Sequence, residues 1–170
     1  MKIGGRRLGG GLSGGMRRLG SRLARVRYFR GHGVHSPFVY DLVREVFMRR
    51  ELLPGGHALY DALLAAGVSR RRAVELQNLA LHCGYADFGL NRADADLCVA
   101  TCALAPELLL ALVRAASEAR HTVVVLTPYA DRERLELCRR IVAEHRSTSV
   151  DKRGYLLLFN NHLPKQHFRI

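Results

Sequence analysis

A chain of 170 residues, 48% of them hydrophobic, can bury one substantial core and is short for two. No apolar run approaches the roughly 18 residues that cross a bilayer, and the start, Met1-Lys2-Ile3-Gly4-Gly5-Arg6, lacks the hydrophobic stretch of a secretory signal. The formal charge of +12 is uneven: no acidic residue precedes Asp41, whereas Lys2, Arg6, Arg7, Arg17, Arg18, Arg22, Arg25, Arg27 and Arg30 all do.

Residues 1–30 read as a basic arm. Residues 1–15 are rich in Gly and Arg and bury little, so they are expected to be disordered when free. From Met16 the pattern changes. Met16, Leu19, Leu23 and Val26 recur at three- and four-residue steps, and Arg17, Arg18, Arg22 and Arg25 fill the faces between them. This spacing predicts a basic amphipathic helix. Its four arginines are candidate anion-binding residues, and RNA, a membrane surface or an acidic protein could each accept them. The same composition also fits an organelle transit peptide. The preferred expectation is a cytoplasmic protein.

Residues 31–170 are expected to form a single α/β domain, with helices over 37–82 and a strand–helix core over 96–160. In His32-Gly33-Val34-His35-Ser36-Pro37-Phe38, Ser36 is placed to cap a helix and Pro37 to occupy its first turn. Phe38, Val39, Leu42, Val43, Val46 and Phe47 then make one apolar stripe, ending before Pro54-Gly55-Gly56. A helix from about His57 to Ala66 follows, and Ser69 can cap another that runs to about His82. After a loop, Leu97–Thr101 reads as a buried strand. Pro106 and Glu107 open a helix, and Thr122–Leu126 is a second strand stopped by Pro128. Asp131 opens a helix with Leu135, Cys138, Ile141 and Val142 on one face and a Glu136–Arg140 charge pair. Two strands close the chain, Ser147–Val150 and Tyr155–Phe159, joined at Asp151-Lys152-Arg153-Gly154, where Gly154 can take a positive φ. Continuous apolar strands alternating with helices indicate a mainly parallel sheet covered on both faces, with the final hairpin adding an antiparallel strand. No internal repeat is present.

Cys83, Cys98, Cys102 and Cys138 form no C-x-x-C pair and read as reduced, packed thiols. A zinc site would need closely spaced ligand pairs, which the sequence does not offer, so no metal is expected. His32 and His35, on a Gly-containing turn without a nearby carboxylate, read as structural or solvent-facing. Neither a G-x-x-x-x-G-K-[ST] phosphate loop nor a G-x-S-x-G nucleophile elbow occurs. Asp87-Phe88-Gly89 spells a kinase motif without the other kinase signatures.

Two segments at opposite ends carry a family resemblance. His32-Gly33-Val34-His35-Ser36-Pro37-Phe38-Val39-Tyr40-Asp41-Leu42 and Val150-Asp151-Lys152-Arg153-Gly154-Tyr155-Leu156-Leu157-Leu158-Phe159, followed by Lys165-Gln166-His167-Phe168, are similar to bacterial class I SAM-dependent methyltransferase-like proteins of the kind associated with Bacteroidota. Those proteins have an H-S-P-F helix before the core and a K-Q-H-F-like ending. The resemblance implies a partial Rossmann-like α/β sheet, mostly parallel with an antiparallel C-terminal hairpin, preceded by N-terminal helices.

The chain departs from that family at the cofactor. A class I methyltransferase holds SAM over a Gly-rich turn after its first strand and binds the ribose through an acidic residue after the next. Val74-Glu75-Leu76-Gln77 has Gln in the glycine position and sits inside a helical pattern. Asp87-Phe88-Gly89-Leu90-Asn91 has one glycine, so Asp87 and Gly89 are the only cofactor-binding remnant outside such a pattern. From either segment the strand at Leu97 arrives too soon for the family's further strand–helix units. The stretch that tends to read Asp-Gly-Asn-His in the family is Thr101-Cys102-Ala103-Leu104, and the next strand ends Thr127-Pro128-Tyr129 rather than in acids. Thr101, Cys102 and Tyr129 remain where α/β sites lie. No catalytic residue is assigned. Three expectations stand: a degenerate methyltransferase relative without a resident cofactor; a basic binding module using the arm and the helix start Arg70-Arg71-Arg72; and an active methyltransferase, binding SAM in an unusual pocket that a second subunit could complete.

Overall fold

The computed structural model describes residues 36–170. The arm with Arg17, Arg18, Arg22 and Arg25, and the turn with His32 and His35, lie outside the described residues.

Helix α1 (Pro37–Leu42) starts as its sequence dictates. Ser36 is extended, its Oγ accepts from Val39 N at 3.4 Å, and Pro37 takes the first helical position. The chain then widens into a π turn over Val43–Phe47, where Met48 N donates to Val43 O. That turn leaves Val43, Val46 and Phe47 all buried. Helices α2 (Ala58–Ala65) and α3 (Arg70–Cys83) follow, and α3 ends on Gly84 in the left-handed region at φ 68°. Two polar residues buried in α3 hold what precedes it. Asn78 bonds Leu53 N and Glu51 O, each at 2.8 Å, and Gln77 Oε1 accepts from Tyr60 N at 2.9 Å. Val74–Gln77 is therefore interior helix.

Six strands form one sheet in the order β1-β2-β3-β5-β4-β6. They are β1 (Phe88–Leu90), β2 (Leu97–Ala100), β3 (Thr122–Leu126), β4 (Thr148–Lys152), β5 (Tyr155–Leu158) and β6 (Gln166–Arg169), with α4 (Pro106–Glu118) after β2 and α5 (Arg132–Glu144) after β3. The β1–β2, β2–β3 and β4–β6 pairs are parallel, while β5 runs antiparallel between β3 and β4. The sheet is thus mostly parallel with an antiparallel hairpin, as expected. One face carries Leu97, Val99, Val124, Leu126 and Leu157 against α1–α3, and the other carries Cys98, Ala100, Val123, Val125 and Leu158 against α4 and α5.

Four local expectations need correction. The segments at Phe88 and Gln166 are strands rather than loop and tail. Asp151 and Lys152 belong to β4, which shortens the turn to Arg153-Gly154, with Gly154 at φ 90°. The buried face of α5 is Arg134, Leu137, Cys138 and Ile141, one step round from the expected stripe. Glu136 pairs with Arg139 at 2.7 Å, one residue short of Arg140.

Caps differ as well. Asp131 Oδ1 accepts from Arg134 N at 2.8 Å, whereas the Ser69 side chain makes no bond to α3. Replacing Asp131 by Ala is expected to cost about 1 kcal/mol and Ser36, with its longer bond, about 0.5 kcal/mol. Ser69→Ala should fall within about 0.5 kcal/mol of wild type. Urea midpoints at constant m-value check the order.

Candidate functional site

Sites in α/β sheets lie beyond the carboxyl ends of parallel strands, where strand order reverses. Here β1, β2 and β3 step in one direction with no reversal between them. The β1–β2 connection is a turn over 91–96 containing no helix. Parallel neighbours ordinarily need a dozen or more residues to cross over; this return is short because β1 is three residues long. Asn91 starts it with φ 57°, a left-handed conformation that Asn tolerates. Its side chain is spent on β2: Oδ1 accepts from Thr101 N at 2.8 Å and Nδ2 donates to Thr101 Oγ1 at 3.0 Å.

The ends of β2 and β3 are closed by Arg134, which is 5% exposed. Its guanidinium donates to Thr101 O at 2.9 Å, Leu126 O at 3.1 Å and Leu104 O at 3.2 Å, and its Nε has no partner. Three backbone acceptors at or just beyond the strand ends are thus satisfied from within the chain, and among the described residues no carboxylate touches the cation. Beside it, Thr127 adopts φ 47° with its Oγ1 buried and unpartnered. For a β-branched residue this is strain, of order 1–3 kcal/mol. The resulting bend buries Pro128 and turns Tyr129 outward. The Tyr129 hydroxyl bonds Asp151, and burial together with that carboxylate raises its pKa.

A second polar cluster continues along the same edge. Glu75 of α3 receives the Lys152 ammonium at 2.6 Å on Oε1, in a geometry that closes the ion pair without a directional hydrogen bond. Its Oε2 accepts from the Tyr155 hydroxyl at 2.9 Å. Lys152 also lies 4.5 Å from the centre of the Phe47 ring. Burial lowers the lysine's pKa against the opposing pull of Glu75, and burial raises that of Tyr155. Arg71 reaches Glu75 from outside at 3.3 Å.

Asp87 and Gly89, the expected cofactor-binding pair, lie elsewhere. Asp87 precedes β1 at the amino edge, and its Oδ1 accepts from Asp96 N at 2.8 Å, fixing the start of β2. Gly89 is buried in the middle of β1, and the Arg92 side chain covers the place a Cβ would occupy. The two are not brought to the carboxyl edge, where Thr101, Tyr129 and Arg134 meet. Cys102 is exposed beside Thr101, Cys98 and Cys138 are buried, and Cys83 is half-buried. Among the described residues no three His, Cys, Asp or Glu side chains converge on a metal-sized site. An open groove lies between α4 and α5, lined by Leu110 and Leu137 together with Glu107, Glu133, Glu136 and Arg140.

The residues here lack the features that the resemblance implies for SAM. After β1 the chain passes through Asn91, already bonded, rather than a Gly-rich turn into a helix, and the end of β2 offers Thr101 instead of a carboxylate. The carbonyls at both ends are bonded by Arg134. That arginine was readable on the apolar spacing of 134, 137, 138 and 141; the Glu75–Lys152–Tyr155 cluster had no signal beyond charges inside buried runs. The chain matches no family model, no curated protein and no solved structure.

Proposed function

We propose that the chain is a degenerate methyltransferase-like relative that has given up SAM binding and serves as a basic binding module for an anionic partner. The observation that carries the first half is Arg134. It bonds the carbonyls at the ends of β2 and β3, where a cofactor would need open backbone, and the short return at Asn91 leaves no crossover to form the other wall. The second half rests on charge. The arm of residues 1–30 has nine cations and no acid, and Arg70-Arg71-Arg72 opens α3 without an acidic residue in its first turn. A scaffold without its reaction can still present a surface, since function resides in sites rather than folds.

Calorimetric titration with SAM, and with its demethylated product, tests the reading. Each absent partner leaves a polar part of the ligand desolvated at about 1–3 kcal/mol, and every 1.4 kcal/mol is roughly tenfold. Loss of several moves a micromolar site beyond about millimolar, so no saturable heat is expected. A saturable micromolar signal for either compound would overturn the degenerate reading in favour of an active enzyme with an unusual pocket.

A further inference from the structure

We infer that the carboxyl edge of the sheet binds single-stranded nucleic acid, with Arg70, Arg153 and Arg169 as the phosphate-binding groups and the Tyr129 ring as a platform for a base. The inference rests on the binding-module reading and names its partner.

The residues belong to one continuous ridge. Arg72 of α3 packs on Gly154 in the β4–β5 turn. Gly154 O accepts from Thr127 N at 2.8 Å, Tyr129 follows two residues on, and its hydroxyl bonds Asp151. Asp151 pairs in register with Arg169 of β6, whose guanidinium lies 3.9 Å away and is 81% exposed. Arg70, Arg71 and Arg153 are also exposed. Glu75 is paired with Lys152 at 2.6 Å and with Arg71 at 3.3 Å, and Asp151, hydrogen-bonded by Tyr129, faces Arg169 at 3.9 Å. Against these two carboxylates stand Arg70, Arg71, Arg72, Lys152, Arg153 and Arg169, so the charge of these residues together is positive. Helix stability does not account for the arginines that open α3, because cations in the first turn of a helix meet the positive end of its dipole. Arg70, Arg71 and Arg72 all sit there, over a helix start that no side chain caps.

Tyr129 decides the partner. It is 54% exposed, yet its hydroxyl is tied to Asp151 and its backbone follows the bend at Thr127 and the buried Pro128. A ring held by its tip offers a face. Single strands combine phosphates for arginines with unstacked bases for such a face. In a duplex the bases already stack on one another, and a bilayer takes up apolar side chains with free tips.

The test uses the full chain and fluorescence anisotropy with a short labelled oligouridylate, its duplex with oligoadenylate, and anionic phosphatidylserine vesicles. Tyr129→Ala should weaken the single strand roughly five- to a hundredfold, and Tyr129→Phe, which keeps the ring, by less than about threefold. A triple Arg70→Gln, Arg153→Gln, Arg169→Gln variant should flatten the salt slope by about 2. These positions are exposed, so the triple variant decides even if Tyr129→Ala lowers the melting temperature. Wild-type strand binding in both variants, equal affinity for the duplex, or binding to vesicles alone would overturn the inference. The SAM titration is independent: a positive result there removes the degenerate reading and leaves this site, whereas unaltered strand binding removes this site and leaves that reading.

Discussion

Replacing Glu75 by Ala is expected to destabilise the chain by about 3–5 kcal/mol, the usual cost of stranding one partner of a buried ion pair. Glu75 is 5% exposed as a side chain and Lys152 12%, so solvent screens the pair weakly. Without the carboxylate, the ammonium keeps only the faces of the Phe47 and Tyr155 rings, and the Tyr155 hydroxyl loses its acceptor. The contact of Arg71, 79% exposed, contributes little. The pair itself need not be stabilising. Glu75→Leu combined with Lys152→Met and Tyr155→Phe should recover most of the loss, because it removes the desolvated groups together. The pH dependence carries a sign. Burial already holds the folded lysine's pKa below its unfolded value, and losing Glu75 lowers it further. The unfolded pKa is common to both chains, so the deficit of Glu75→Ala should narrow as pH rises from the variant's folded lysine pKa to the wild type's, and should level off above it. Urea denaturation across that range measures both effects. A cost under about 1 kcal/mol would mean that water reaches the pair.

What the sequence made legible follows from how each element is stabilised. Leu97–Ala100 and Thr122–Leu126 are buried on both faces, and they read as continuous apolar runs because both faces select apolar residues. β1 and β6 gave no such signal. Each is a short edge strand paired on one side: β1 centres on a glycine, and β6 is largely exposed. A backbone ladder holds such strands, and side-chain pattern does not report it. The π turn after Leu42 was hidden for a related reason, since Val43, Val46 and Phe47 suit an ordinary helical stripe equally well. At the site, Thr101 and Tyr129 were placed correctly at strand ends because strands and turns bracket them. Glu75 could not be linked to Tyr155, 80 residues away, by any local period. The α5 stripe was read through Leu135 and Val142 because an arginine at an inward position is the less common solution, although Arg134 falls on the helical spacing of Leu137, Cys138 and Ile141.

Arg134→Met is expected to cost about 2–4 kcal/mol. The variant keeps an apolar stem but leaves Thr101 O, Leu104 O and Leu126 O without their donor, at about 1–3 kcal/mol for each buried group, while removing a desolvated cation that no carboxylate compensates. The two terms oppose each other, which holds the net below the sum of three lost bonds. Arg134→Lys should fall between wild type and Met, because an ammonium retains the charge but cannot span three acceptors with a planar fork. Urea denaturation gives the order. Hydrogen exchange should show loss of protection localised to the ends of β2 and β3 ahead of the amino edge, where Asp87 and Asp96 are untouched. If Arg134→Met proves neutral, water must already satisfy those carbonyls. The carboxyl ends of β2 and β3 would then be hydrated and open, and the physical ground for reading this scaffold as closed to SAM would be gone.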